Sequence, residues 1–164
     1  MTTLFIISAA IFLIYTALSV HKFDVPKSLS DTYYLWKGYA HNFRWLFSAA
    51  MLGTALPLMP VFVDYSTEST TFIAFFCCAG LAYVGVACQF KMGLTKPVHF
   101  TSAGICATCA ILWSLFNLQS GWVVVALSGV IFGLIALKRQ NERIFWLEMG
   151  AFAIAYISLG LKIF

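Results

Sequence analysis

The sequence predicts an all-α, polytopic integral membrane protein: one bundle of six transmembrane helices, with the N- and C-termini on the non-cytoplasmic side. Three observations lead there. Hydrophobic residues make up 62% of the 164-residue chain and charged residues only 10%, where soluble globular proteins carry about 25% charged residues. The apolar residues gather into six segments, each close to the roughly 20 residues that cross a hydrocarbon core about 30 Å thick. Lys and Arg collect on alternate connections, and positive charge marks cytoplasmic loops.

The predicted spans cover residues 4–20, 43–63, 71–90, 99–118, 122–137 and 144–164 of a single transmembrane domain, 1–164. The first is read as a retained helix and not as a secretory signal. Its leading Met-Thr-Thr has no base, no small-x-small cleavage site follows, and the basic residues come after the apolar stretch. Residues 21–42 form the one long connection, a cytoplasmic loop with an interfacial helix. Within it Ser28-Leu29-Ser30-Asp31 fits the Ser/Thr-x-x-Asp/Glu start signal, in which a side-chain oxygen accepts from the free amides of a first turn. From Asp31 the pattern continues helically through Tyr34, Lys37, His41 and Arg44 into the second span, with Gly38 as the weak point. Pro57 and Pro60 should kink or end that span near its outer end. The three-residue connection 119–121 forces the fourth and fifth spans to be antiparallel neighbours.

Orientation follows from the bases. Lys22, Lys27, Lys37 and Arg44 surround the first connection, Lys91 and Lys96 lie in the third, and Lys138, Arg139 and Arg143 in the fifth; only Lys162 departs from the alternation. Trp36, Trp45 and Trp146 with Tyr33, Tyr34 and Tyr39 fall at the inner boundary, and Trp122 and Tyr65 at the outer one, as interfacial anchors. The net charge of +4 is accounted for by topology. It forms no dense basic cluster, so nucleic acid is not a predicted partner.

Inside a bilayer, helices associate through close packing of small residues at four-residue spacing. Ala49 and Gly53, then Ala74, Cys78 and Ala82, then Ser102, Cys106 and Ala110, then Gly129 and Gly133, and finally Ala151 and Ala155 make such stripes. All five cysteines fall inside spans, so no disulfide framework is indicated, and the Cys-x-x-Cys at 106–109 is one turn of a packing surface.

The candidate ligand-binding residues are the polar groups expected near the inner ends of the spans: Ser30, Asp31, Tyr34, His41, Arg44, Gln89, His99 and Glu148. Glu148 is the sharpest, because a carboxylate in a span is costly and tends to face the bundle interior or a water-filled cavity. At about 1.5 Å per residue it lies roughly 6 Å beyond Ile144. A protonated histidine is disfavoured at a helix N-terminus, so His99 is expected to be neutral or paired with an acid such as Glu148. Three scattered histidines without a His-x-x-x-His, His-Glu-x-x-His or nucleophile-elbow motif predict neither a metal site nor a cofactor, and the chain is read as leaning away from an enzyme.

Three stretches, SLSDTYY at 28–34, GLAYVGVACQFK at 80–91 and KPVHFTSAGICATCAILW at 96–113, together resemble the six-helix membrane family that holds the DRAM-type autophagy modulators and the proteins that remodel the lipid of GPI anchors. Related bacterial six-helix families of unknown function share the pattern. The matching positions are Ser30 and Asp31, Gly85 and Gln89, and His99 and Gly104, over the middle half of the chain. The resemblance implies a polar cluster at one face of the bundle and a role connected with lipids more than with ion flow.

The expected function is therefore that of a small multi-pass membrane protein, of the plasma membrane or of the inner membrane if bacterial. It would bind a lipid headgroup or small amphiphile in a polar cytoplasmic-side cavity, in a regulatory or lipid-related role. Its expected partners are membrane lipids, with a homo-oligomer left open. An oligomeric channel or transporter is the alternative, and an intramembrane lipid-modifying enzyme the second.

Overall fold

The computed structural model describes residues 1–39, 43–88 and 92–164, with the side chains of 92–96 left aside. Seven α-helices follow in order: α1 (Thr2–Phe23), α2 (Thr32–Gly38), α3 (Trp45–Asp64), α4 (Thr71–Ala87), α5 (Met92–Asn117), α6 (Gly121–Lys138) and α7 (Arg143–Ile163). Among the described residues there is no strand. All but the short α2 lie in segments long and apolar enough to cross a membrane. Short connections make α3 and α4, α5 and α6, and α6 and α7 antiparallel. α4 packs most closely on α5 and α3, α1 on α3, and α6 on α7, which also touches α5.

Small residues set the tightest of these contacts. At Gly80 an added Cβ would lie 2.9 Å from the Ser102 carbonyl oxygen and 3.1 Å from the Cys106 Cβ, so only glycine lets α4 approach the backbone of α5 there. Ala74 and Cys78 on α4 and Ala110 on α5 are buried along the same seam. Gly129 and Gly133 differ, with nothing within 4 Å of either added Cβ, so among the described residues these two glycines bring no other helix into close contact.

Three details depart from the sequence reading. α3 runs unbroken from Trp45 to Asp64 through both Pro57 and Pro60; neighbouring helices can re-satisfy the carbonyls a proline frees. α5 begins at Met92, ahead of the expected His99, with Pro97 inside it, a position where the ring removes a single intrahelical bond near the start. The expected continuous helix from Asp31 into the second span does not form. α2 stops at Gly38 and Tyr39 turns extended (φ −81°, ψ 154°). Glycine loses the most backbone freedom in a helix, and the Tyr39 ring instead packs edge-on against Trp36 and Phe23, 5.9 and 6.4 Å between centroids.

Two aromatic-rich groups fill the interior. Phe12, Tyr15, Tyr33, Trp36, Phe47 and Met51 pack towards the end where α1 finishes. Leu58, Phe62, Cys77, Cys78, Trp113 and Leu159 pack towards the other. α2 is tied down across α1 by two polar contacts. Trp36 Nε1 donates to Ser19 Oγ at 3.2 Å, and the Tyr15 and Thr32 hydroxyls share a hydrogen bond of 2.5 Å.

Candidate functional site: an apolar cleft with one carboxylate

After α1 the chain reverses through Asp24, the one non-glycine among the described residues with a positive φ (60°). The reversal lays residues 27–31 along the first turn of α7. A helix leaves its first four amides without intrahelical partners, and one of them, Phe145 N–H, donates to the Lys27 carbonyl at 3.0 Å. In return Leu29 N–H donates to Oε2 of Glu148 at 2.5 Å. Ser28 Oγ accepts from Asp31 N–H at 3.1 Å and lies 3.0 Å from Ser30 Oγ. The serine signal in the sequence thus shapes a turn, and the turn carries Leu29, only 3% exposed, into the bundle beside Glu148.

Behind that turn a cleft of about 210 Å³ runs between α7 on one side and α3, α4 and α5 on the other. It is long and thin. Phe47 and Leu58 of α3 both line it, as do Ile144 and Ala155 of α7, which at 1.5 Å per residue is a reach of about 16 Å along the helices. Small-molecule pockets usually enclose roughly 300–1,000 Å³, so this one suits a chain and not a fused ring system. Its walls are apolar almost throughout, with the thiols of Cys77, Cys78 and Cys106 among them. Among the described residues Glu148 is the only charged side chain lining it, and Ser30 the only hydroxyl. Ile144 and Leu147 line the cleft and are also 42% and 48% exposed, so it opens sideways at the Glu148 end.

Of the residues singled out from sequence, Ser30 and Glu148 come together at this mouth. Asp31 is half-buried and begins α2, Arg44 is half-buried at the start of α3, and Tyr34 is 56% exposed with its ring edge-on to Tyr33. None of these three lines the cleft. His99 is half-buried and does not line the cleft, and its Nδ1 is buried with no partner among the described residues. No ion pair joins His99 to Glu148 among those residues. His41 and Gln89 lie outside the described residues. Among the described residues no three His, Cys, Asp or Glu side chains are grouped as metal ligands.

Two features of the site had no mark in the sequence reading. The Leu29 amide is backbone, and a backbone donor has no residue signature. The thiols were read as packing residues. They do occupy helix interfaces, with Cys77 Sγ–H donating to the Cys106 carbonyl at 3.5 Å, but three of them also face the cleft. Their recurrence on adjacent helices was the available signal.

The fold and cleft together define a class: an all-helical bundle of six membrane-length helices, with a narrow apolar cleft between four of them and, among the described residues, a single carboxylate at its mouth. Compared with known proteins, the chain matches no family model, no curated protein and no solved structure.

Proposed function

We propose that the protein is a multi-pass membrane protein, with both termini on the non-cytoplasmic side, that holds the alkyl chain of a membrane amphiphile in the cleft with its headgroup at Ser30 and Glu148. The observation that carries this reading is the division of the cleft: a thin apolar bore that continues about 10 Å from Glu148 to Ala155, with one carboxylate and one hydroxyl at its open end. An alkyl chain has the shape of the bore, and a headgroup has the polarity of its mouth. Ile144 and Leu147, exposed at the opening, would face lipid, so an amphiphile could enter from the bilayer without crossing water. The alternation of bases supports the orientation, since Lys27, Lys138, Arg139 and Arg143 all lie at the Glu148 end. The reading keeps the lipid-related role expected from sequence but moves the binding energy from a polar cavity to apolar burial, worth about 0.8 kcal/mol per methylene.

Filling the bore tests it. Ala151 and Ala107 line the cleft from facing helices, and Ala151→Phe or Ala107→Phe should occupy it with no loss of polar contacts. Native mass spectrometry of protein released from mild detergent should show a bound amphiphile that both variants lose, while thermal unfolding stays within a few degrees of the wild type. Equal occupancy in the wild type and both variants would sink the reading.

A further inference from the structure

We infer that the amphiphile taken by this cleft carries an ammonium headgroup, recognised by the free Oε1 of Glu148; the inference rests on the amphiphile-binding reading and adds the chemical class of ligand. The argument begins with what the carboxylate lacks. An ionised carboxylate accepts through two oxygens with about four lone-pair sites. Oε2 takes the Leu29 amide, and among the described residues Oε1 has no protein partner and the group has no cation beside it. Carboxylates within membrane spans are ordinarily paired or turned to a cavity. This one lines a cavity in which, among the described residues, no other side chain is charged.

Three kinds of headgroup could reach it. An anionic head would place like charges together in an apolar setting, which costs several kcal/mol. A neutral hydroxyl would supply one hydrogen bond and no opposite charge. An ammonium supplies the opposite charge and up to three donors, forming the stronger, charge-assisted bond. Its second acceptor is at hand, because Ser30 Oγ lines the same mouth, oriented by Ser28 Oγ at 3.0 Å. Among the described residues the nearby bases do not fill this role: Lys27 and Arg143 are exposed and neither lines the cleft. The Leu29 amide is held by the neighbouring bond from Phe145 N–H to the Lys27 carbonyl, so Oε2 stays occupied and Oε1 is the oxygen left for a ligand.

The test holds the tail constant and varies the head. Protein in a mild neutral detergent is incubated with dodecylamine, dodecanol or dodecanoate, and retention is read by native mass spectrometry for the wild type, Glu148→Gln and Ala151→Phe. The wild type should retain dodecylamine about tenfold or more over dodecanoate, with dodecanol between them. Glu148→Gln keeps an oxygen for the Leu29 amide, so it should fold, bind dodecanol as before, and lose the preference for the amine. A wild type that holds all three tails alike, or a Glu148→Gln protein that keeps the preference, overturns the ammonium inference and leaves the cleft reading standing. Should Glu148→Gln not fold, the wild-type series and Ser30→Ala decide, the latter weakening amine retention and sparing dodecanol. Retention of none of the three by the wild type overturns both. A parallel arm separates the sources of the ammonium. Bilayer nanodiscs of mixed ethanolamine-headed and glycerol-headed phospholipid should yield protein enriched in the ethanolamine lipid if the ligand is a membrane lipid. Dodecylamine retention without that enrichment assigns it to free long-chain amines.

Discussion

The two ends of the bundle handle polar side chains in opposite ways. At the end where α5 finishes, Asn117 Oδ1 accepts from Thr67 N–H at 3.0 Å and from the Thr70 hydroxyl at 2.8 Å, while its Nδ2 donates to the Trp113 carbonyl at 3.1 Å. Trp113, fully buried, donates from Nε1 to Ser66 Oγ, which passes on to the Phe62 carbonyl. Donors and acceptors there close on one another. At the other end the Leu29 amide donates to Oε2 of Glu148, no partner for Oε1 stands among the described residues, and Glu148 lines a cleft. A closed polar network fixes the connection between helices; an open one leaves free energy to be gained by something that is not part of the chain. The difference separates residues that hold the fold from residues that select a ligand.

Substitutions at the two ends should therefore separate stability from binding. The largest stability effect is expected from Gly121→Ala at the closed end, where the new Cβ would fall 2.0 Å from the Ser114 carbonyl oxygen. Backbone must move there, at a cost of about 3 kcal/mol, read as a large drop in the thermal midpoint with ligand selectivity intact in the folded fraction. Next is Asn117→Ala, which strands the Thr67 amide and the Thr70 hydroxyl and should cost about 2 kcal/mol in the same assay. At the open end Ser28→Ala removes the acceptor of Asp31 N–H and the neighbour of Ser30. It should lower stability by about 1 kcal/mol and also loosen headgroup binding, since Ser30 loses its orienting partner. The smallest stability change, under about 1 kcal/mol, belongs to Glu148→Gln, the substitution expected to alter headgroup preference most. A comparable loss of stability from Asn117→Ala and Glu148→Gln would erase the distinction between the ends.

Much of the fold was legible because membrane-length helices are written in composition. Six apolar segments stand out, and the small residues of α4 and α5 mark the seam at which Gly80 meets Ser102 and Cys106. Glu148 was legible for the same reason in reverse, as a costly residue in an apolar run. What was not legible depends on how helices sit against each other. The break at Tyr39 comes from the aromatic contacts its ring finds with Phe23 and Trp36, which no local propensity records. Asp31, His99 and Glu148 share an end of the bundle, yet only Glu148 turns to the cleft; equal depth along the helices does not fix the direction of a side chain around them. The cleft itself is a gap between α7 and α3, α4 and α5, and gaps have no residues of their own.

Where an alkyl chain sits in the protein is the most direct test of the account. A dodecylamine analogue with a photoactivatable diazirine in its tail would be bound to protein reconstituted in bilayers, crosslinked, and its attachment sites mapped by peptide mass spectrometry. The account predicts adducts on cleft-lining residues such as Met51, Leu81 and Ala107, lost in Ala151→Phe and reduced in Glu148→Gln. Adducts spread over outward-facing residues such as Leu13, Phe72 and Leu134, unchanged in both variants, would contradict it.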